Sequence, residues 1–136
     1  MKNSCKLFFV VTLLFGVLFS FGSCKTDPTF GLEEITFEEI LEADLYAKYN
    51  VSYEFITYNK DHTVKNRETS TGVLTSDKVK ASLTGLKASI ELAKVTHLAG
   101  GKVCADKNYK KIVSYSYTYD TDGNLTREDI TTFKKI

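Results

Sequence analysis

The sequence predicts an α+β domain: two helices packed on one face of a small antiparallel sheet of four or five strands, in the order α-β-β-α-β-β. Three observations carry that expectation. Apolar residues recur at helical spacing in two segments, one from Thr36 and one from Ser76. Between and after these segments the pattern changes to alternation, with β-branched and aromatic residues enriched. Clusters of Asn, Asp and Gly punctuate the alternating runs where hairpins would turn.

The first helix is expected to start at Thr36, which can cap it. Glu39 three residues on completes a capping box, and Ile35 faces Ile40 as a staple. Ile40, Leu41, Leu45 and Tyr49 extend the apolar stripe, so the helix would end near Tyr49-Asn50. Val51 to Tyr58 alternates through Val51, Tyr53 and Phe55 and reads as a strand. Asn59-Lys60-Asp61-His62 is a turn, and Thr63 to Leu74 returns as a polar strand suited to a sheet edge. Ser76-Asp77 opens the second helix, whose face is Val79, Leu83, Leu86, Ile90 and Ala93. Gly100-Gly101 is expected to end it, with Lys94 and His97 in its last turns. Ile112 to Tyr119 and Leu125 to Phe133 form a closing hairpin about Asp120-Thr121-Asp122-Gly123, with a short strand at Lys102–Ala105 as the fifth. The order helix, strand, strand, repeated once, would also suit a degenerate duplication.

The chain has 136 residues, which suits one domain, placed at 36–136. Residues before it read as a sorting label. Lys2 and Lys6 precede the apolar run Leu7 to Phe19, and no charge occurs from Leu7 through Cys24. About 15 helical residues span roughly 22 Å, short of a bilayer's hydrocarbon core. A charged start, a short apolar stretch and small residues at its end describe a signal peptide at 1–23.

Phe21-Gly22-Ser23-Cys24 resembles the lipobox of bacterial lipoproteins, and Phe at position 21 with Ser directly before Cys is similar to lipoproteins of the Bacteroidota. The resemblance implies that Cys24 becomes the first mature residue, carrying a diacylglyceryl thioether on its sulfur and an acyl chain on its amine. Only a thiol is nucleophilic enough to accept that lipid. It further implies a cell-envelope location, at the outer membrane, with residues 24–35 as a lipidated tether. Cys5 would leave with the signal and Cys24 would be consumed by lipid, leaving Cys104 without a partner. The rival arrangement is ordinary cleavage followed by a Cys24–Cys104 bridge.

Eighteen basic and seventeen acidic residues give a net charge of +1, and loss of Lys2 and Lys6 would bring it to −1. A near-neutral chain has little attraction for a polyanion or an anionic leaflet, so no nucleic-acid partner is expected. Membrane attachment would then come from the acyl chains alone.

Candidate chemistry is sparse. Asp120-Thr121-Asp122-Gly123-Asn124 offers oxygen ligands, but glycine falls fourth rather than sixth and the turn accounts for every residue. The stretch Tyr119 to Leu125 also resembles one tyrosine–aspartate repeat of shell-forming toxins, which stack many copies. His97, Cys104 and Asp106 are near one another in sequence and could make a nucleophilic set, although no signature surrounds the thiol. His62 reads as a solvated turn residue. Glu33-Glu34 and Glu38-Glu39 suit the tether and a helix start better than a glycosidase pair. Asn50 and Asn124 open glycosylation sequons that read as turn asparagines. No metal or cofactor is expected.

Tyr115, Tyr117 and Tyr119 share one face of the last hairpin. They form an aromatic strip for a protein or glycan partner if that face is open, and core if it packs on the helices. The expected activity is therefore that of a lipid-anchored envelope protein with a non-catalytic binding module. The alternative is a periplasmic enzyme or enzyme inhibitor, which a cleft holding His97 and Cys104 would favour.

Overall fold

The computed structural model describes residues 27–96 and 98–136. The expected signal peptide at 1–23, Cys24 and His97 lie outside the described residues. Nine elements follow one another: β1 (Glu33–Glu34), α1 (Phe37–Glu42), β2 (Lys48–Tyr58), β3 (Val64–Thr75), α2 (Ser76–Ala93), a 3-10 turn (Lys94–Thr96), β4 (Ala99–Ala105), β5 (Lys111–Tyr119) and β6 (Leu125–Lys135). The strands form a single antiparallel sheet in the spatial order β1-β4-β5-β6-β2-β3.

This corrects the expected fold. Among the described residues the sheet has six strands rather than four or five, and strands predominate there in place of the order α-β-β-α-β-β. Three local outcomes account for the difference. First, α1 stops at Glu42 rather than near Tyr49, because Ala43 turns extended at ψ 139°. Tyr49 then pairs with both Leu74 of β3 and Lys135 of β6. Cross-strand pairing on both sides outweighs a helical stripe that has only propensity behind it. Second, Gly100-Gly101 does not end α2 but lies within β4, opposite Tyr117 and Ser116. Third, Glu33 and Glu34 pair with Ala105 and Cys104, so the span expected as tether contributes a sixth strand.

The capping box at α1 forms as drawn: the Thr36 amide donates to Glu39 Oε1 at 2.8 Å, and the Glu39 amide to Thr36 Oγ1 at 3.2 Å. Along α2 the buried positions are Val79, Leu83, Lys87 and Ile90, one helical face. That face meets Val103, Ala105, Ile112, Phe133 and Tyr49 on the sheet, with Ile35 and Ile40 closing the core beside them. Each such large apolar side chain contributes about 1.5–3 kcal/mol by leaving water. Asn50 lies within β2, paired with Val73 and Lys134, and is not a turn residue.

Alternation sends the other side chains of each strand to the opposite face. The registers place Tyr115, Tyr117 and Tyr119 of β5, Glu128 and Ile130 of β6, and Ile56 of β2 on the face that carries neither helix. Among the described residues, no helix is long and apolar enough to cross a membrane.

Candidate binding face

The helix-free face owes its pattern to the hairpin at Asp120–Gly123. Asp120 Oδ1 accepts from the amides of Asp122 and Asn124, both at 2.9 Å, and Gly123 takes the positive φ of 84° that closes the turn. Those amides hold the Asp120 carboxyl below the usual carboxylate range. The Asp120 carboxylate that a calcium reading would use is thus engaged by the turn itself. The turn starts the β5–β6 pairing at Tyr119–Leu125, and a bulge between Thr118 and Tyr119 then shifts the register by one residue, which sets Tyr117 opposite Glu128 and Tyr115 opposite Ile130.

On this register the three tyrosines form a ladder. Ring centroids lie 5.5 Å apart for Tyr115–Tyr117 and 5.6 Å for Tyr117–Tyr119, in tilted and edge-on arrangements that aromatic quadrupoles favour. Tyr117 lies over Gly100 of the neighbouring strand, where a Cβ would come within 2.7 Å of its hydroxyl oxygen. Glycine is required at position 100 for the ring to lie there. Exposure rises along the ladder, from half-buried Tyr115 and Tyr117 to Tyr119 at 40%.

At the inner end of the ladder is Glu128, only 4% exposed. Its two carboxylate oxygens accept from the hydroxyls of Tyr58 and Tyr115, which reach it from β2 and β5. Burial, and then the adjacent carboxylate, push the Tyr115 phenol pKa far above the ordinary tyrosine value. Burial raises that of Tyr119 as well. Beside this cluster a cleft of about 680 Å3 opens over the sheet, bounded by Pro28, Ile56, Arg67, Lys111, Tyr115 and Lys134. Arg67 pairs there with Glu54.

The other sequence candidates fall elsewhere. Cys104 is buried in β4, where burial pushes the thiol pKa up. A nucleophilic cysteine needs the opposite shift. Asp106 is committed to the next turn, where its Oδ1 accepts from the Lys110 amide at 2.8 Å. His62 is exposed in the β2–β3 turn, at φ 71°. Among the described residues no group of three His, Cys, Asp or Glu side chains could hold a metal ion.

Sequence reasoning missed Glu128 and Tyr58. The hairpin register hides Glu128: counting straight back from the Tyr119–Leu125 pair would set Arg127 opposite Tyr117, and only the bulge between Thr118 and Tyr119 brings Glu128 among the tyrosines. No protein-family model matches the chain, and neither a curated protein nor a solved structure is similar to it at a significant level.

Proposed function

We propose that this chain is a lipid-anchored protein of the bacterial cell envelope, attached at the outer membrane through Cys24, whose folded part is a non-catalytic module that binds a protein or glycan on its tyrosine face. The anchoring half rests on the resemblance of Phe21-Gly22-Ser23-Cys24 to a lipobox. One observation supports the binding half above others: three tyrosines stand in a ladder on the sheet face that neither α1 nor α2 covers, and two tyrosine hydroxyls fix Glu128 beside them. Rings held rigidly by neighbours are suited to contact, because little rotamer freedom is left to lose on binding. Flat aromatic faces stack on sugar rings or fill protein interfaces, and the phenol oxygens supply directional hydrogen bonds.

Anchoring is tested by growing the native host with labelled palmitate. The wild-type chain takes up label and Cys24→Ser does not; equal labelling of the two overturns the anchor. Binding is tested with a glycan array and by envelope cross-linking, comparing wild type with Tyr119→Ser. A ligand retained by wild type and lost by Tyr119→Ser, at unchanged melting temperature, supports the face as the site. A ligand retained equally by both overturns it.

A further inference from the structure

We infer that the end of the sheet where β5 begins and β6 ends is a docking surface for the anionic phospholipid headgroups of the bilayer to which the chain is tethered. The inference rests on the lipid-anchor reading and adds an orientation to it. Lys111 and Lys134 stand directly opposite one another on adjacent strands, on the helix-free face. Like charges in such a pair are destabilising, and among the described residues neither lysine has a carboxylate partner. An anion placed between them would relieve the repulsion.

Further lysines surround the pair. Lys107 and Lys110 lie in the Asp106–Lys110 turn and Lys48 at the matching end of β2, while Lys135 is at the end of β6 on the other face, its ammonium 5.0 Å from the centroid of the Tyr46 ring. All four are exposed. The turn is held in place from below: buried Tyr49 donates its hydroxyl to the carbonyl of Tyr109 at 2.6 Å, where the backbone takes a positive φ of 56°. The nearby acids do not cancel this charge. Of the acids that line the same cleft, Asp27 pairs with Lys102, Glu54 with Arg67, and Glu128 is buried under the Tyr58 and Tyr115 hydroxyls. Asp106 is turned onto its own turn's backbone, and Glu38, Glu39 and Glu42 belong to α1 on the other side of the sheet. A net charge near zero therefore conceals a local basic corner.

The chain's entry point indicates what covers that corner. Asp27 and Pro28 line the same cleft as Lys111 and Lys134. Cys24 precedes Asp27 by three residues, so the point from which acyl chains would start is no more than about 11 Å along the backbone from Asp27. Phe30, three residues beyond Asp27, is 83% exposed, an apolar ring suited to the headgroup boundary. The acidic Asp120–Gly123 hairpin, and Tyr119 beside it, lie at the opposite end of the sheet. Docking by the lysine corner would then turn the outer end of the tyrosine ladder away from the bilayer.

The test uses the full native lipoprotein reconstituted in vesicles of phosphatidylcholine, or of phosphatidylcholine with about one third phosphatidylglycerol. A soluble amine-reactive label and mass spectrometry report the reactivity of each lysine. Lys111 and Lys134 should be labelled about fivefold more slowly on the anionic vesicles, as expected for roughly one lysine's worth of surface attraction. Lys60, in the β2–β3 turn at the other end, should not change. Protection should vanish at high salt and in the Lys111→Gln/Lys134→Gln variant, scored there at Lys110. Protein that pellets with both vesicles but shows equal labelling overturns the docking and leaves the anchor standing. Protein that stays in the supernatant with both overturns the anchor and the docking together.

Discussion

The Tyr115 hydroxyl donates to Oε2 of Glu128 across the β5–β6 pair, while Tyr58 donates to Oε1 from the far side. A carboxylate 4% exposed on a sheet face is costly unless its oxygens are satisfied, so these bonds determine whether the face can hold its shape. Hydrogen bonds to a charged acceptor contribute about 1.5–3 kcal/mol each. Tyr115→Phe should therefore destabilise the protein by about 1–3 kcal/mol in urea unfolding, and Tyr58→Phe by a similar amount. The double variant should lose less than the sum, because both act on one carboxylate. Additive losses would mean that the two bonds do not form one network.

The same contact predicts a dependence on alkaline pH. In the unfolded chain Tyr115 titrates near the ordinary tyrosine value, about 10. In the folded protein, burial and Glu128 hold its proton well beyond that. A raised folded-state pKa gives stability that is complete below the unfolded pKa and is lost as pH climbs toward the folded one. Unfolding free energy should thus fall above pH 10, with at most about 1.4 kcal/mol per pH unit from this phenol. Tyr115→Phe should show a shallower decline than wild type across the same interval. Parallel slopes would rule out Tyr115 as the titrating group.

How legible the fold was depended on whether a segment's fate was decided locally. The capping box at Thr36 and Glu39, the face Val79–Leu83–Ile90 and the turn at Asp120–Gly123 are short-range devices, and each could be read directly. Strand β1 could not: two glutamates carry no strand pattern, and they pair only because β4 offers an edge. Tyr49 looked helical because its spacing from Ile40 and Leu45 was suitable, yet β3 and β6 flank it. The tyrosine ladder was visible as alternation, but which face it occupied depended on where the helices packed. Glu128 and the Lys111–Lys134 pair needed register, which is a property of two strands at once.

Gly100 and Gly101 make that point testable. A Cβ at Gly101 would run into the backbone of Tyr115 and Ser116, which cannot move without disturbing the β4–β5 pairing. At Gly100 it would meet the hydroxyl and ring carbons of Tyr117, a side chain that can swing aside. Gly101→Ala should therefore cost about 2–3 kcal/mol and Gly100→Ala roughly 1 kcal/mol or less. The milder variant should still impair the ladder, seen as a change in near-ultraviolet tyrosine dichroism that Gly85→Ala, which has open space around it, does not produce. The reverse order of costs would show that β5 yields more readily than the Tyr117 ring.

What fastens β1 to the domain can be decided by magnitude. Lys87, 5% exposed on α2, reaches Glu34 of β1 and Glu91 of its own helix, each at 3.4 Å. Both carboxylates are about half exposed, so water screens them and such a pair is worth about 1 kcal/mol or less. Ile35, the next residue after β1, is 5% exposed within the core, and its burial contributes about 1.5–3 kcal/mol. Its amide also donates to the Val103 carbonyl at 2.8 Å. The apolar contact should therefore dominate. Lys87→Met, which keeps the buried stem, should change overall stability by less than about 1 kcal/mol and leave hydrogen exchange at the Ile35 amide near its wild-type rate. Ile35→Ala should cost about 2–4 kcal/mol and speed that exchange at least tenfold. Exchange that speeds up in Lys87→Met but not in Ile35→Ala would show that the ion pair, not the core contact, holds the strand.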